Sequence, residues 1–120
     1  MIVFLQNSGA GISLLLGLIA ILFPNKIEAF VSVKSIGKEG LSEIRATYGG
    51  FFFGISLFAL LSQNSFVFMA LGVGWISAAI IRLITLILGS YTSKNLAAVL
   101  FETVIGLLCL SSYLIEYLFK

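Results

Sequence analysis

The chain is predicted to fold as an all-α integral membrane protein, a four-helix bundle of antiparallel neighbours with both termini on the same side. Three observations predict it. Hydrophobic residues make up 60% of the 120 positions and charged residues 10%, whereas a soluble domain carries about 25% charge. The apolar residues fall into four runs, each near the ~20 residues that cross a hydrocarbon core of about 30 Å. Short polar segments divide the runs, and each reverses the chain. The whole sequence, 1–120, is read as a single membrane domain.

The first span is placed at about 1–23. It contains no charged side chain and stops at Pro24-Asn25, a natural end for a membrane helix. A cleaved signal peptide would need a basic start, and Met-Ile-Val-Phe-Leu-Gln-Asn has none, so the segment is expected to stay in the protein. Over 25–42 the residues Lys26, Glu28, Lys34, Lys38 and Glu39 alternate with apolar ones. This pattern predicts an interfacial loop containing a short amphipathic piece. The second span is expected at 44–61, ending in the polar turn Ser62-Gln63-Asn64-Ser65. The third covers 66–88 and closes at Gly89, with Asn95 as the expected cap for the next helix. The fourth covers 96–118 and leaves Phe119 and Lys120 as an interfacial anchor.

Lysine placement sets the expected orientation. Lys26, Lys34 and Lys38 follow the first span and Lys94 follows the third, so the positive-inside rule places those loops in the cytoplasm and both termini outside. A bacterial inner membrane is the expected location.

Several function classes are excluded by composition. The chain has no histidine and no aspartate, and Cys109 is its only cysteine. Imidazole-rich metal sites, bis-histidine haem ligation, Ser-His-Asp hydrolysis and paired-thiol redox chemistry each lack a required part. Neither a phosphate-cradling glycine loop nor a basic tract for nucleic acid is present. No metal and no cofactor are expected.

The candidate site comes from charges inside the spans. Arg82 lies six residues before the end of the third predicted span and Glu102 six residues after the start of the fourth, so both sit about 9 Å below the same surface. Sequential antiparallel helices are neighbours as a rule, which makes an Arg82-Glu102 ion pair the economical expectation. Pairing offsets part of the roughly 2.5–3.5 kcal/mol that an unpaired charge costs near a helix centre. Glu43 and Arg45 begin the second span from the same side, with Tyr48 one turn deeper, and all five are expected to converge at one end of the bundle. In a regular helix, however, Glu43 and Arg45 fall on different faces, so at most one of them points straight inward.

Small residues recur at helical spacing and predict the packed faces. The stripes are Gly9, Ser13 and Gly17 on the first span, Ala46, Gly50 and Gly54 on the second, Ala70, Gly74, Ala78, Arg82, Thr85 and Gly89 on the third, and Ala98, Glu102, Gly106, Cys109 and Tyr113 on the fourth. The Gly50-x-x-x-Gly54 face is expected to serve contacts within the chain or in a homodimer.

The stretch Glu43-Ile44-Arg45-Ala46-Thr47-Tyr48-Gly49-Gly50-Phe51-Phe52-Phe53-Gly54 resembles the small bacterial four-helix membrane proteins grouped with the DoxX-like families, particularly one family of unknown function. E-x-R-A-x-Y-G-G is the specific part. The resemblance extends over nearly the whole length, because that family also has an arginine in its third helix and a glutamate in its fourth, matching Arg82 and Glu102. The sequence departs from the family pattern at Thr85, where glycine is frequent, and at Leu88-Gly89, where an acidic residue before glycine is common. The resemblance implies a fold and a polar cluster, and its wider relatives include membrane subunits of redox enzymes and assembly factors.

Three functions are compared on these grounds. The first is a non-enzymatic membrane component that binds a lipid, a lipophilic small molecule or a membrane partner at Arg82, Glu102, Glu43, Arg45 and Tyr48. The alternative is a small transporter or channel using Glu102 as a coupled carboxylate. A membrane enzyme with proton transfer between Glu102 and Tyr48 stands third.

Overall fold

A computed structural model of the chain describes residues 1–119. Helix is the only regular secondary structure among them. The first helix, α1, is Ile2–Leu22. It is followed by α2, Pro24–Val31, with Pro24 in its first turn, where the missing N–H costs nothing and the fixed φ suits a helix start. Thus Pro24 ends one helix by beginning the next. Next, α3 (Gly37–Glu43) runs into a π-helical segment, Ile44–Phe51, and on into α4, Phe52–Ser62. Together they form one rod, Gly37–Ser62. The third rod is α5, Ser65–Thr85, extended by a π-helical segment, Leu86–Ser90, and the fourth is α6, Ser93–Leu118.

Four rods are long and apolar enough to cross a membrane: Ile2–Leu22, Gly37–Ser62, Ser65–Ser90 and Ser93–Leu118. The last three have 26 residues each, about 39 Å at the helical rise. That exceeds a hydrocarbon core of about 30 Å, so such rods accommodate by tilting or by carrying their ends into the headgroup layer.

Several boundaries differ from expectation. Segment 25–42 is mostly helical, and the second rod begins at Gly37 rather than at residue 44. Polar residues such as Lys38, Glu39 and Ser42 do not oppose helix formation, and hydropathy alone read them as loop. The third rod continues to Ser90, and Gly89 takes φ +128° in its last turn, a conformation that L side chains rarely adopt. The cap of α6 is Thr92, not Asn95: Thr92 Oγ1 accepts from Asn95 N–H at 3.0 Å, and Asn95 Nδ2 donates back to Ser90 O at 2.8 Å. Asn64 caps α5 by accepting from Phe66 N–H at 2.9 Å. Lys120, read as an anchor with Phe119, lies outside the described residues.

Close backbone approaches join the rods. A Cβ added at Gly17 would lie 2.7 Å from Phe53 N and 2.9 Å from Gly49 O, which joins α1 to the second rod. Near the other end of the same pair, Gln63 Nε2 donates to Asn7 Oδ1 at 2.8 Å. The same near-contact joins Gly9 to Cys109, between α1 and α6, and Gly72 to the Gly106 carbonyl, between α5 and α6. Buried Ala10, Ala59, Phe68, Leu71, Ile105 and Cys109 form the main core. Ala20, Ile27 and Ile44 form a second, smaller one under α2. The Cα envelope measures 50 × 34 × 17 Å, so the fold is flattened, and α1 and α6 bury more of themselves than the second and third rods do.

The small-residue stripes divide accordingly. Gly9, Ser13 and Gly17 are buried, as are Glu102, Gly106 and Cys109. On the second and third rods the stripes face outward: Ala46, Gly50, Gly54, Ala70, Gly74 and Ala78 are exposed, and the packed positions are Gly49, Ser56 and Ala59 on one and Phe68, Gly72 and Ala79 on the other. The second rod packs chiefly on α1 and the third chiefly on α6, and spacing alone does not say which of two small-residue stripes is the buried one.

Candidate functional site

Arg82 projects from α5 and Glu102 from α6, and the structure brings them together. Arg82 Nε donates to Glu102 Oε1 at 2.6 Å. The two ends of the pair differ in environment, since the Arg82 side chain is 36% exposed and that of Glu102 only 7%. The second carboxylate oxygen, Oε2, is buried with no hydrogen-bond partner among the described residues. Arg-carboxylate pairs are frequently two-pronged; this one is single, made through one edge of the guanidinium.

Both residues line a cavity of about 390 Å³. It lies between the second, third and fourth rods, with Leu16 of α1 at its base and Ile27, Phe30 and Val31 of α2 against it. Its walls are mostly apolar and aromatic. Phe52 and Trp75 meet with ring centroids 5.1 Å apart, and Phe30 meets Phe101 edge to face at 5.8 Å. Trp75 is held by its indole N–H, which donates to Ser13 Oγ at 3.2 Å. Gly74 and Ala78, the outward stripe of α5, contribute small residues to the wall, and no atom lies within 4 Å of a Cβ built at Gly74. The stripe predicted to pack against helices borders open space here.

Of the predicted site residues, the cavity gathers Tyr48, Arg82 and Glu102. Tyr48 comes from the π-helical segment and also packs against the Ala20-Ile27-Ile44 cluster. Glu43 and Arg45 are exposed and do not line the cavity. Glu43 Oε1 instead accepts from Thr47 Oγ1 at 2.5 Å. The helix is π-helical from Ile44 onward, so the regular 100° step that assigned Glu43 and Arg45 to faces does not hold there. Because the rod starts at Gly37, these two charges also lie within a helix rather than at its beginning.

Other lining residues were not singled out by the sequence. Lys94, at the start of α6, lines the cavity, and its ammonium donates to Ala29 O of α2 at 2.7 Å. That bond ties α2 to the fourth rod. Trp75, Phe52, Phe30 and Phe101 carry no sequence signal separating them from aromatic side chains that face lipid. Only the single tryptophan stands out, since a buried indole N–H requires an acceptor. Among the described residues no group of three or more His, Cys, Asp or Glu is placed to hold a metal ion.

The site is therefore an apolar chamber with polar groups at one side. No family model, curated protein or solved structure matches the chain. Function rests on the chemistry of the chamber: its walls suit hydrocarbon or ring surface, and its cationic side chains suit a hydrogen-bond acceptor.

Proposed function

We propose that the protein is a non-enzymatic integral membrane component, a four-helix bundle of DoxX-like type in the bacterial inner membrane, whose chamber holds a lipophilic molecule. Both termini face outward, and the lysine-bearing segment at 25–42 and Lys94 face the cytoplasm. The observation that carries this function is the cavity itself: about 390 Å³ of apolar space bordered by Arg82, Glu102, Tyr48 and Lys94. Ligand sites have this character, mostly apolar walls with a few placed polar groups and volumes of roughly 300–1,000 Å³. Four rods of membrane-crossing length and apolarity support the location, and ionisable residues at such depth are functional by default.

Native mass spectrometry tests the proposal, comparing wild type with Ala78→Trp, which fills the chamber from its α5 wall. The expected result is a co-purifying adduct on wild type that is lost from the variant. An adduct retained equally by both places the bound molecule elsewhere and overturns the proposal. Orientation is tested by membrane-impermeant thiol labelling of Lys34→Cys and Ser62→Cys, which are expected to label from opposite sides.

A carrier that couples transport to Glu102 is the second reading, favoured by the burial of that carboxylate with its Oε2 unpartnered among the described residues. Liposome flux that disappears in Glu102→Gln while ligand binding persists would favour it over the first.

A further inference from the structure

We infer that the occupant of the chamber is a single-chain amphiphile with one oxyanionic head, and that Arg82 reads the head. This rests on the ligand-binding function proposed above and names the class of ligand. Three observations carry it. The first is charge: Arg82 and Lys94 supply two cations to the lining against one carboxylate, Glu102, and the excess, at exposed Lys94, favours an anionic over a neutral head.

The second is the geometry of the guanidinium. Glu102 engages Nε with one oxygen at 2.6 Å, and Arg82 keeps 36% of its side chain exposed while lining the cavity. Glu102 thereby fixes the orientation of the group without taking up the fork of Nη donors. An oriented guanidinium with its fork available is suited to two parallel hydrogen bonds with a carboxylate or phosphate. Glu102 is a positioning residue here, and Lys94 adds a second cation whose ammonium is already anchored on Ala29 O.

The third is size and lining. At about 390 Å³ the chamber is near the lower end of the roughly 300–1,000 Å³ range of ligand sites, enough for one chain and too small for the pair of chains of a membrane phospholipid. Phe52, Trp75, Phe30 and Phe101 provide the surface against which a hydrocarbon chain packs. A long-chain carboxylate and a lysophospholipid share this chemistry, and they differ in head.

Trp75 makes the test direct, because it is the only tryptophan and it lines the chamber. Bromine on an acyl chain quenches indole fluorescence at contact. The protein in non-ionic detergent is titrated with a mid-chain dibrominated long-chain carboxylate, with its methyl ester, with a brominated anionic lysophospholipid, and with a brominated two-chain phosphatidylcholine. We expect saturable quenching by the carboxylate at concentrations about 10- to 100-fold below those needed for the ester, the factor expected of a charge-assisted hydrogen bond. The carboxylate and lysophospholipid arms identify which head is preferred. Arg82→Gln, and Arg82→Gln combined with Glu102→Gln to avoid leaving a lone buried carboxylate, are expected to reduce the preference for acid over ester about tenfold, to what Lys94 alone supplies, while retaining helical circular dichroism.

Equal saturable quenching by acid and ester would overturn the oxyanion inference and leave the ligand-binding function standing. No saturable quenching by any probe would overturn both. An acid preference undiminished in the folded double variant would show that Arg82 does not read the head. Two-chain phosphatidylcholine binding as tightly as the carboxylate would overturn the single-chain assignment.

Discussion

Replacing Gly17 by alanine should separate α1 from the second rod, and the effect can be worked from the contacts. The added methyl carbon would lie 2.7 Å from Phe53 N, 2.9 Å from Gly49 O and 3.1 Å from Phe53 Cα. All three are backbone atoms, so no side-chain rotation relieves the overlap and the rods themselves must move. Overpacking of this kind costs about 1–3 kcal/mol. Alanine also has a higher helix propensity than glycine, by about 0.8–1 kcal/mol in water, which would mask part of the loss. Gly54 supplies the control, because it lies in the adjoining rod and a Cβ built there meets nothing within 4 Å. The propensity term is common to both substitutions, so the difference between Gly17→Ala and Gly54→Ala isolates the steric term, about 1–3 kcal/mol. Reversible unfolding in mixed micelles at increasing denaturing-detergent fraction, followed by circular dichroism, measures both. Equal stability of the two variants, within about 0.3–0.5 kcal/mol, would refute the close approach of these backbones.

Two further predictions concern the end of the molecule near the chamber. Lys94→Gln removes the ammonium that holds Ala29 O; because the bond is exposed, its worth is about 1 kcal/mol or less, and hydrogen exchange in Pro24–Val31 should accelerate up to about fivefold with the four long rods unchanged. Thr92→Ala should destabilise by about 1 kcal/mol through loss of the α6 cap, whereas Asn95→Ala should cost less, since Asn95 donates from its side chain only to the exposed carbonyl of Ser90; detergent unfolding of the two variants gives the order.

The rods were legible because their physics is local. Long apolar runs, the polar turn at Ser62 to Ser65 and the break at Pro24 each act on the chain where they occur, and each is visible there. Arg82 and Glu102 were legible for a related reason: two opposite charges in apolar runs, placed at comparable distances from one short connection, need each other. What the sequence could not supply was the rotation of each rod about its axis. Gly74 and Gly72 lie two residues apart on α5, yet Gly72 meets the Gly106 carbonyl and Gly74 meets empty space. Both carry the small-residue signal, and only the position of α6 distinguishes them. The π-helical segment Ile44–Phe51 was hidden as well, since its residues fit a regular helix equally well. That irregularity sits where Tyr48 enters the chamber wall, in keeping with the tendency of π-bulges to mark functional sites. Lys94 read as an orientation signal in a loop, and its place in the cavity depends on α2 folding back toward it.

The candidate site is built on a buried carboxylate held by an arginine that keeps one side toward open space, and the asymmetry of that pair is measurable. Glu102 is 5% exposed, so Arg82→Gln strands a charge away from water, at a cost of about 3–5 kcal/mol. Glu102→Gln leaves the more accessible Arg82, whose long stem lets the charge reach polar surroundings, and removes a hydrogen bond to a charged group worth about 1.5–3 kcal/mol. A double-mutant cycle on detergent unfolding should therefore give a larger loss for the arginine variant than for the glutamate variant, with the double variant recovering about 0.5–3 kcal/mol relative to the sum of the two. Losses that add, with no recovery, would contradict the pairing of these two side chains at the chamber wall.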